Sequence, residues 1–152
     1  MSELEAIVGT VGVGVTMLTD REVTVSAGSP ARPVRIYGSP WQPQFKGWPT
    51  YMPELQIKSK WDQIPAGLDV LVTHTPPYKY GDGDRHNIDR GDVALLAAIK
   101  AKQPKVVVFG HIHNGTPRFG TVMGTDRQTE FVNAAVTDNS AQLRKKPVVY
   151  LL

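Results

Sequence analysis

Residues 106–113 read Val-Val-Val-Phe-Gly-His-Ile-His, and this stretch decides the fold and the site that we expect. Its first four residues are apolar and three of them are β-branched, which is typical of a buried strand. Just beyond the strand come His111 and His113. In extended backbone, residues two apart point the same way and lie roughly 6.5 to 7 Å apart. Imidazole nitrogen is a common ligand of transition metals, but a His-x-His pair also lines polar strand faces and loops, so both interpretations stay open.

A second apolar run also ends in a histidine. Residues 70–73 read Val-Leu-Val-Thr, and His74 follows, before two prolines that end the strand. Open α/β sheets place their ligands at the carboxyl ends of their strands. We therefore expect His74, His111 and His113 to converge on one site. The fourth histidine, His86, lies in a charged stretch and is interpreted as a solvated loop residue.

Strands that alternate with helices predict an α/β fold. The predicted strands are residues 23–27, 34–37, 69–73, 105–109, 130–134 and 148–151. Helices are expected at residues 53–63, which Pro53 can open at the first helical position, and at residues 92–102. In the first helix, the apolar residues Leu55, Ile57 and Trp61 form an imperfect stripe that we interpret as core packing. In the second, helical spacing is followed by Val93, Leu96, Ala97 and Lys100.

Four motifs in combination resemble a known family. Residues 69–77 read Asp-Val-Leu-Val-Thr-His-Thr-Pro-Pro, and residues 109–115 read Phe-Gly-His-Ile-His-Asn-Gly. Residues 130–135 read Glu-Phe-Val-Asn-Ala-Ala, and residues 35–43 read Arg-Ile-Tyr-Gly-Ser-Pro-Trp-Gln-Pro. From about Leu18 onward the chain resembles the carboxyl-terminal half of the calcineurin-like metallophosphoesterases, and among them the metallophosphoesterase-domain proteins of the MPPED type.

The resemblance implies a dinuclear site in which His74 and His111 ligate one metal and His113 ligates the other. In such sites two ions about 3.5 to 4 Å apart hold the phosphoryl oxygens and lower the pKa of a bound water, so that hydroxide attacks phosphorus in line. The implied cofactor is a divalent ion of Mn, Fe or Zn, and the implied partner is a phosphoester substrate. The implied fold is part of an αββα sandwich: a mixed sheet with flanking helices, without the amino-terminal half.

The sequence departs from the family at its amino-terminal end. The family's Asp-x-His, Gly-Asp-x-x-Asp and Gly-Asn-His-Asp/Glu motifs supply the remaining ligands and the bridging carboxylate. None of the three occurs in residues 1–25, which contain no His and no Asn. We therefore expect residues 1–152 to form a single, truncated domain, in which residues 1–17 can be interpreted as unrelated to the family fold.

Two functional hypotheses follow. In the first, the protein is a metal-dependent phosphoesterase whose missing ligands come from another chain or from an upstream segment. In the alternative, it is a catalytically inactive remnant or an interaction subunit with a partial metal site. Three imidazoles without a bridging carboxylate hold Mn²⁺ or Mg²⁺ poorly, so we expect at most one tightly bound ion. One sheet alone would expose an apolar face, which predicts a homo-oligomer or a partner chain.

One asparagine and two tryptophans near the expected site each allow two interpretations. Asn133 resembles a family signature that shapes the loop near the metals, although a strand-end Asn also satisfies turn amides. Trp41 and Trp48 lie in a Pro-rich stretch that could form one wall of a substrate cleft or pin its loop to the core.

Composition narrows the class of protein. With 152 residues, of which 41% are hydrophobic, the chain can bury one core of ordinary size. The net charge is +3, and the Lys and Arg residues are scattered along the sequence. The sequence therefore lacks the cationic stripe and the stacking aromatic residues that are typical of a nucleic-acid binder. The absence of Cys excludes disulfides and thiolate metal sites.

The start of the sequence indicates the location that we expect. The apolar run at residues 6–17 is too short to span a bilayer, which takes roughly 20 residues, and the acidic residues before it do not suit a signal peptide. We therefore expect a cytoplasmic protein that does not contact membranes.

Overall fold

The computed structural model describes residues 15–43, 50–83, 88–113, 120–123, 128–137, 140, 142–143 and 146. Within these residues the strands are β1 (Arg21–Ala27), β2 (Arg32–Ser39), β3 (Gln42–Pro43), β4 (Tyr51–Met52), β5 (Val70–Thr73), β6 (Val106–Phe109), β7 (Gly120–Met123) and β8 (Gln128–Asn133). The helices are α1 (Glu54–Asp62) and α2 (Val93–Lys102).

Six of the strands form one mixed sheet in the order β1-β2-β5-β6-β8-β7. The four central strands are parallel to one another. The outer strands β1 and β7 run antiparallel to their neighbours, and β3 and β4 form a separate parallel pair. The fold class is therefore confirmed as α/β, with a mixed sheet and flanking helices that are compatible with one part of a sandwich.

The core lies between this sheet and the two helices. Side chains alternate across a strand, and the register aligns one residue from each central strand in a row, Tyr37, Leu71, Val107 and Phe131. All four are buried in one cluster with Ile57, Trp61, Leu95, Ala98 and Ile99 of the helices. The apolar runs of the sequence therefore form the parallel strands because their alternate side chains are covered by α1 and α2.

The helices begin and end as predicted within one residue, but their buried residues agree with the prediction only in part. Pro53 is the N-cap of α1 and not its first helical residue. Ile57 and Trp61 are buried as predicted, whereas Leu55 is 88% exposed and was wrongly interpreted as a core residue. Val93, one of the residues whose helical spacing indicated α2, is 64% exposed. The buried residues of α2 are Leu95, Ala98 and Ile99. Because most of α2 is apolar on every side, its sequence spacing does not distinguish one face, and packing against the sheet decides which face is buried.

Five of the six predicted strands are confirmed, with ends displaced by up to two residues. The sixth, at residues 148–151, lies outside the described residues, as does most of the segment 1–17. The sequence did not predict β3, β4 or β7. The first two contain only two residues each, which is too short for a detectable alternation.

The face of the sheet opposite the helices carries a second apolar row. Val72 pairs with Val108, and Val108 pairs with Val132. Val72 is 38% exposed, whereas Leu71 beside it is fully buried on the helix side. Gly38 lies in the same row. Leu18 packs so closely against Gly38 that position 38 has no room for a side chain.

Neither α1 nor α2, nor any other helix in the described part of the chain, has the length and apolar character needed to cross a membrane.

Candidate metal centre

The candidate site lies at the carboxyl ends of two neighbouring parallel strands. Strand β5 pairs with β6 in parallel, so the residues that follow each strand emerge at the same edge of the sheet. His74 follows β5 directly, and His111 follows β6 after a single glycine. The backbone N–H of Gly110 donates to the carbonyl oxygen of His74 at 3.2 Å, which joins the two loops at their origin.

The rings of His74 and His111 are in direct contact. Nε2 of His74 lies 3.0 Å from Nδ1 of His111, and the ring centroids are 4.9 Å apart with an interplanar angle of 67°. The nitrogen separation is that of a hydrogen bond from the N–H of one ring to the lone pair of the other. A tetrahedral zinc ion bound at about 2.0 to 2.1 Å by each of two imidazoles would hold their nitrogens about 3.3 to 3.4 Å apart, so both rings could ligate one ion only after a small movement and loss of this hydrogen bond.

The electrostatics of this pair favour neutral imidazoles. Both residues are exposed overall, although partial burial still affects the pKa of each ring. This burial lowers the pKa of His74, and the charge of His113 lowers it further. Burial also lowers the pKa of His111, followed by the charges of His74 and His113. Because a metal binds only the neutral imidazole, these shifts favour the form of each ring that an ion would require.

His111 occupies an unusual turn. The N–H of Ile112 donates to the carbonyl oxygen of Gly110 at 2.7 Å, which closes a three-residue γ-turn with His111 at its centre. The φ of His111 is 65°, in the left-handed region that residues with a Cβ avoid. A γ-turn with positive φ at its centre is rare and strained, so the position of this imidazole depends on a backbone that its surroundings must hold.

His113 is near the pair but has a different contact. Its Nδ1 lies 3.0 Å from Oγ1 of Thr137, and it is close enough to His74 and His111 to affect the pKa of each. The structure thus places the three predicted residues around one edge of the sheet, where the rings of His74 and His111 touch. Their role as ligands stays a prediction.

The fit to a dinuclear site is incomplete. In the portion of the chain that the structure describes, no group of three or more His, Asp or Glu side chains is arranged to hold a metal ion. The described residues therefore bring the rings of His74 and His111 together with His113 close by, and they do not reproduce a bridging carboxylate. His86 lies outside the described residues, and so does the single Asp-x-His spacing after residue 25, at residues 84–86.

Asn133 joins the loops that carry the histidines. This residue ends β8 and is 3% exposed. Its Nδ2 donates to the carbonyl oxygen of Gly81 at 3.0 Å and to that of Ile112 at 3.2 Å, and its Oδ1 accepts from the N–H of Ala135 at 2.9 Å. Both interpretations of Asn133 from the sequence thus describe part of what it does, because it satisfies turn amides and holds the loop between His111 and His113.

A second polar cluster, which the sequence did not reveal, lies at the end of β2. The carboxylate of Asp20 accepts hydrogen bonds from Ser39 Oγ, Trp41 Nε1 and Lys60 Nζ, each at 2.7 Å. Burial raises the pKa of Asp20, but these three hydrogen bonds outweigh it and hold the pKa below its ordinary value. Trp41 also packs against the core, which favours the interpretation that it pins its loop; Trp48 lies outside the described residues.

No protein-family model matches the chain, but curated proteins do. Metallophosphoesterase domain-containing protein 1 of Homo sapiens is 42% identical over 135 residues, which cover 87% of this chain and 38% of that protein. UPF0046 protein T07D4.2 of Caenorhabditis elegans is 40% identical over 119 residues, which cover 77% of this chain and 29% of that protein. The chain therefore spans only about a third of the length of these relatives. One solved structure aligns with a TM-score of 0.47 and 18% identity over 77% of this chain and 44% of the other, which is too distant to support a functional comparison.

Proposed function

Because this chain is a homologue of the metallophosphoesterase domain-containing and UPF0046 proteins, we propose that it contributes a histidine-based metal centre to the hydrolysis of phosphomonoesters or phosphodiesters. The observation that carries the proposal is the 3.0 Å separation of His74 Nε2 and His111 Nδ1 at the carboxyl edge of the sheet. The net charge of +3 is compatible with an anionic substrate but also with many other functions.

In this proposal, His74 and His111 hold one divalent ion, of Mn, Fe or Zn, and His113 contributes to a second. A bound ion supplies Lewis-acid polarisation of the phosphoryl oxygens. The residues of this chain supply the rest. The lowered pKa values of His74 and His111 favour their unprotonated rings, and the joined loops hold the two nitrogens close together before any ion binds.

The test loads the purified chain with Zn²⁺ or Mn²⁺ and measures the metal bound per chain by titration calorimetry and elemental analysis. The same samples are assayed for hydrolysis of p-nitrophenyl phosphate and bis-p-nitrophenyl phosphate. We expect His111→Ala to weaken metal binding strongly, and His86→Ala, which also removes one imidazole, to leave it nearly unchanged. Equal losses in the two variants would refute the assignment of the site.

The alternative function is an inactive protein or interaction subunit with a partial metal site. One observation favours it: among the described residues, no group of three or more potential ligands is arranged to hold a metal ion. Under this alternative the chain binds one ion or none and hydrolyses neither phosphoester. Two tightly bound ions per chain together with metal-dependent hydrolysis would exclude it.

A further inference from the structure

The outer edge of β1 is open to another chain. Strand β1 forms one end of the sheet, and in the described part of the chain it pairs only with β2. The four consecutive residues 24–27 are exposed, and Val25 is 44% exposed. We propose that this edge is an interface between two copies of this chain, whose β1 strands pair antiparallel and continue the sheet across a twofold axis.

Strand β1 lacks the features that usually protect an edge strand. Such strands are commonly blocked by proline, by lysine, by a bulge or by a covering segment. β1 reads Arg-Glu-Val-Thr-Val-Ser-Ala, without Pro or Lys, and its seven residues pair with β2 in unbroken register, without a bulge. The residues just before β1 turn onto the sheet face, where Leu18 packs against Gly38. Alternate backbone groups of β1 point away from β2 and are therefore accessible to a second strand.

The charges of β1 favour an antiparallel pair of two copies. Its only charged residues, Arg21 and Glu22, lie at its start. A parallel pair in register would place each of them beside the same residue of the second copy, and like charges side by side on neighbouring strands are destabilising. An antiparallel pair that joins all seven residues places Arg21 opposite Ala27 and Glu22 opposite Ser26. No like charges then face each other across the interface.

The same register brings apolar side chains together. Thr24 lies opposite Thr24 of the second copy, and Val23 of each copy lies opposite Val25 of the other. Both valines belong to the sheet face opposite the helices, because they pair with Ile36 and Val34 of β2. Val34 is 2% exposed, whereas Val25 is 44% exposed, so the apolar face extends to the edge but its burial does not. A second copy would remove Val25 from water and add cross-strand contacts, which stabilise a sheet.

This pairing closes at two copies. The same strand supplies both halves of the interface, so a twofold axis passes between the two Thr24 residues. Strand β7 lies at the other end of the described sheet, and pairing β1 with β7 would join copies head to tail into larger assemblies. Because β7 contains only four residues, it offers fewer backbone hydrogen bonds than the seven residues of β1. The observations therefore favour the symmetric dimer.

A single engineered cysteine tests the register, because the sequence contains no Cys. In the dimer the Cα atoms of the two residues 24 lie about 4.5 to 5.5 Å apart, which is within the range of a disulfide. We expect Thr24→Cys to form a covalent dimer on mild oxidation, as seen by non-reducing electrophoresis. Ser26→Cys is the matched control at an equally exposed position of the same strand. Its two copies would lie about 14 Å apart, so it should form little covalent dimer.

A lysine at the same two positions tests the interface without a cross-link. Thr24→Lys places two like charges directly opposite each other and should raise the dissociation constant of the dimer about fivefold or more, which corresponds to about 1 kcal/mol. Ser26→Lys adds the same charge to the same strand but places it opposite Glu22 of the second copy, so the dimer should persist. Sedimentation velocity measures both variants, and urea denaturation checks that these exposed substitutions retain the fold.

Three results would overturn the inference. The first is a wild type that stays monomeric at every concentration, and the second is equal cross-linking, or none, in Thr24→Cys and Ser26→Cys. The third is growth into larger assemblies, which would indicate pairing of β1 with β7. Val72 lies on the sheet face and not at its edge, so adding Val72→Lys should leave the Thr24→Cys cross-link unchanged. The proposed function is tested separately by metal binding and hydrolysis and does not depend on these outcomes.

Discussion

Nε2 of His74 lies 3.0 Å from Nδ1 of His111, although 37 residues separate them in the sequence. The parallel pairing of β5 with β6 places the ends of these strands side by side. If both rings ligate the same ion, removing either one should remove much of the binding that the other provides. The effects of such neighbouring residues are not additive.

We therefore predict a non-additive cycle for metal binding. His74→Ala and His111→Ala should each weaken Zn²⁺ binding more than tenfold, and the double variant should lose clearly less than the sum of the two losses in free energy. Titration calorimetry on the four proteins measures the cycle. Strictly additive losses would indicate that the two residues bind ions independently.

Replacing Asp92, the N-cap of α2, is predicted to destabilise the fold strongly. Its Oδ1 caps the helix by accepting from Ala94 and Leu95, and its Oδ2 accepts from buried Trp61 Nε1 at 2.8 Å. Losing an N-cap costs about 1 kcal/mol, and leaving a buried N–H without a partner costs about 1 to 3 kcal/mol. Asp92→Ala should thus lower the free energy of unfolding by about 3 kcal/mol, as measured by urea denaturation.

The matched control for this substitution is Asp62→Ala on α1. Asp62 forms an exposed ion pair with Lys58 one helical turn away, and such pairs contribute at most a few tenths of a kcal/mol. A change in unfolding free energy as small for Asp92→Ala as for Asp62→Ala would contradict the proposed importance of the Trp61 contact.

The Asp20 cluster predicts a specific loss of stability in acid. The folded protein holds the pKa of Asp20 below its ordinary value of 3.8, so the unfolded chain takes up a proton at a higher pH than the folded one. The resulting stabilisation is fully present above pH 3.8 and is lost as the pH falls through the folded-state pKa. Asp20→Asn should therefore be less stable than the wild type near neutral pH, and this difference should shrink below about pH 4.

Urea denaturation between pH 3 and pH 6 measures this effect. Asp62→Asn, at an exposed carboxylate, serves as the control and should remain close to the wild type throughout. A constant difference between Asp20→Asn and the wild type across this range would mean that the Asp20 hydrogen bonds do not depend on its charge.

The apolar row opposite the helices predicts self-association. Val72 is 38% exposed on that face, whereas Val132 in the same row is 4% exposed, so the end of the row at Val72 is the part open to a second chain, and exposed apolar surface favours association. Sedimentation velocity of the wild-type chain should show concentration-dependent association, and Val72→Lys should shift the distribution toward the monomer. Leu55→Lys, at an 88% exposed position on α1, is the control. A wild type that stays monomeric at every concentration would contradict the prediction.

The central strands and the histidines at their ends could be predicted because both depend on local sequence. Residues 70–73 and 106–109 are short β-branched apolar runs, and a histidine follows each of them closely. Runs of this kind indicate strands whatever the rest of the chain does. The parallel arrangement then brings the strand ends to one edge, which is why His74 and His111 were expected together and are found together.

The buried face of α2 could not be predicted from local sequence. Its apolar residues surround the axis, so the helical spacing of Val93 did not indicate that this residue is exposed, and Leu95 was not identified although it is buried. The choice between these faces depends on how the helix packs against a sheet whose strands come from distant parts of the chain.

By itself, the sequence determined the α/β class, the central strands and the histidines that end two of them, because apolar periodicity and turn residues act over a few positions. Only the tertiary structure decided which groups support those histidines. Thr137 contacts His113 across 24 residues, and Asn133 reaches Gly81 across 52. Such contacts have no local pattern, because they arise only when the register of the whole sheet places the end of β8 beside the ends of β5 and β6.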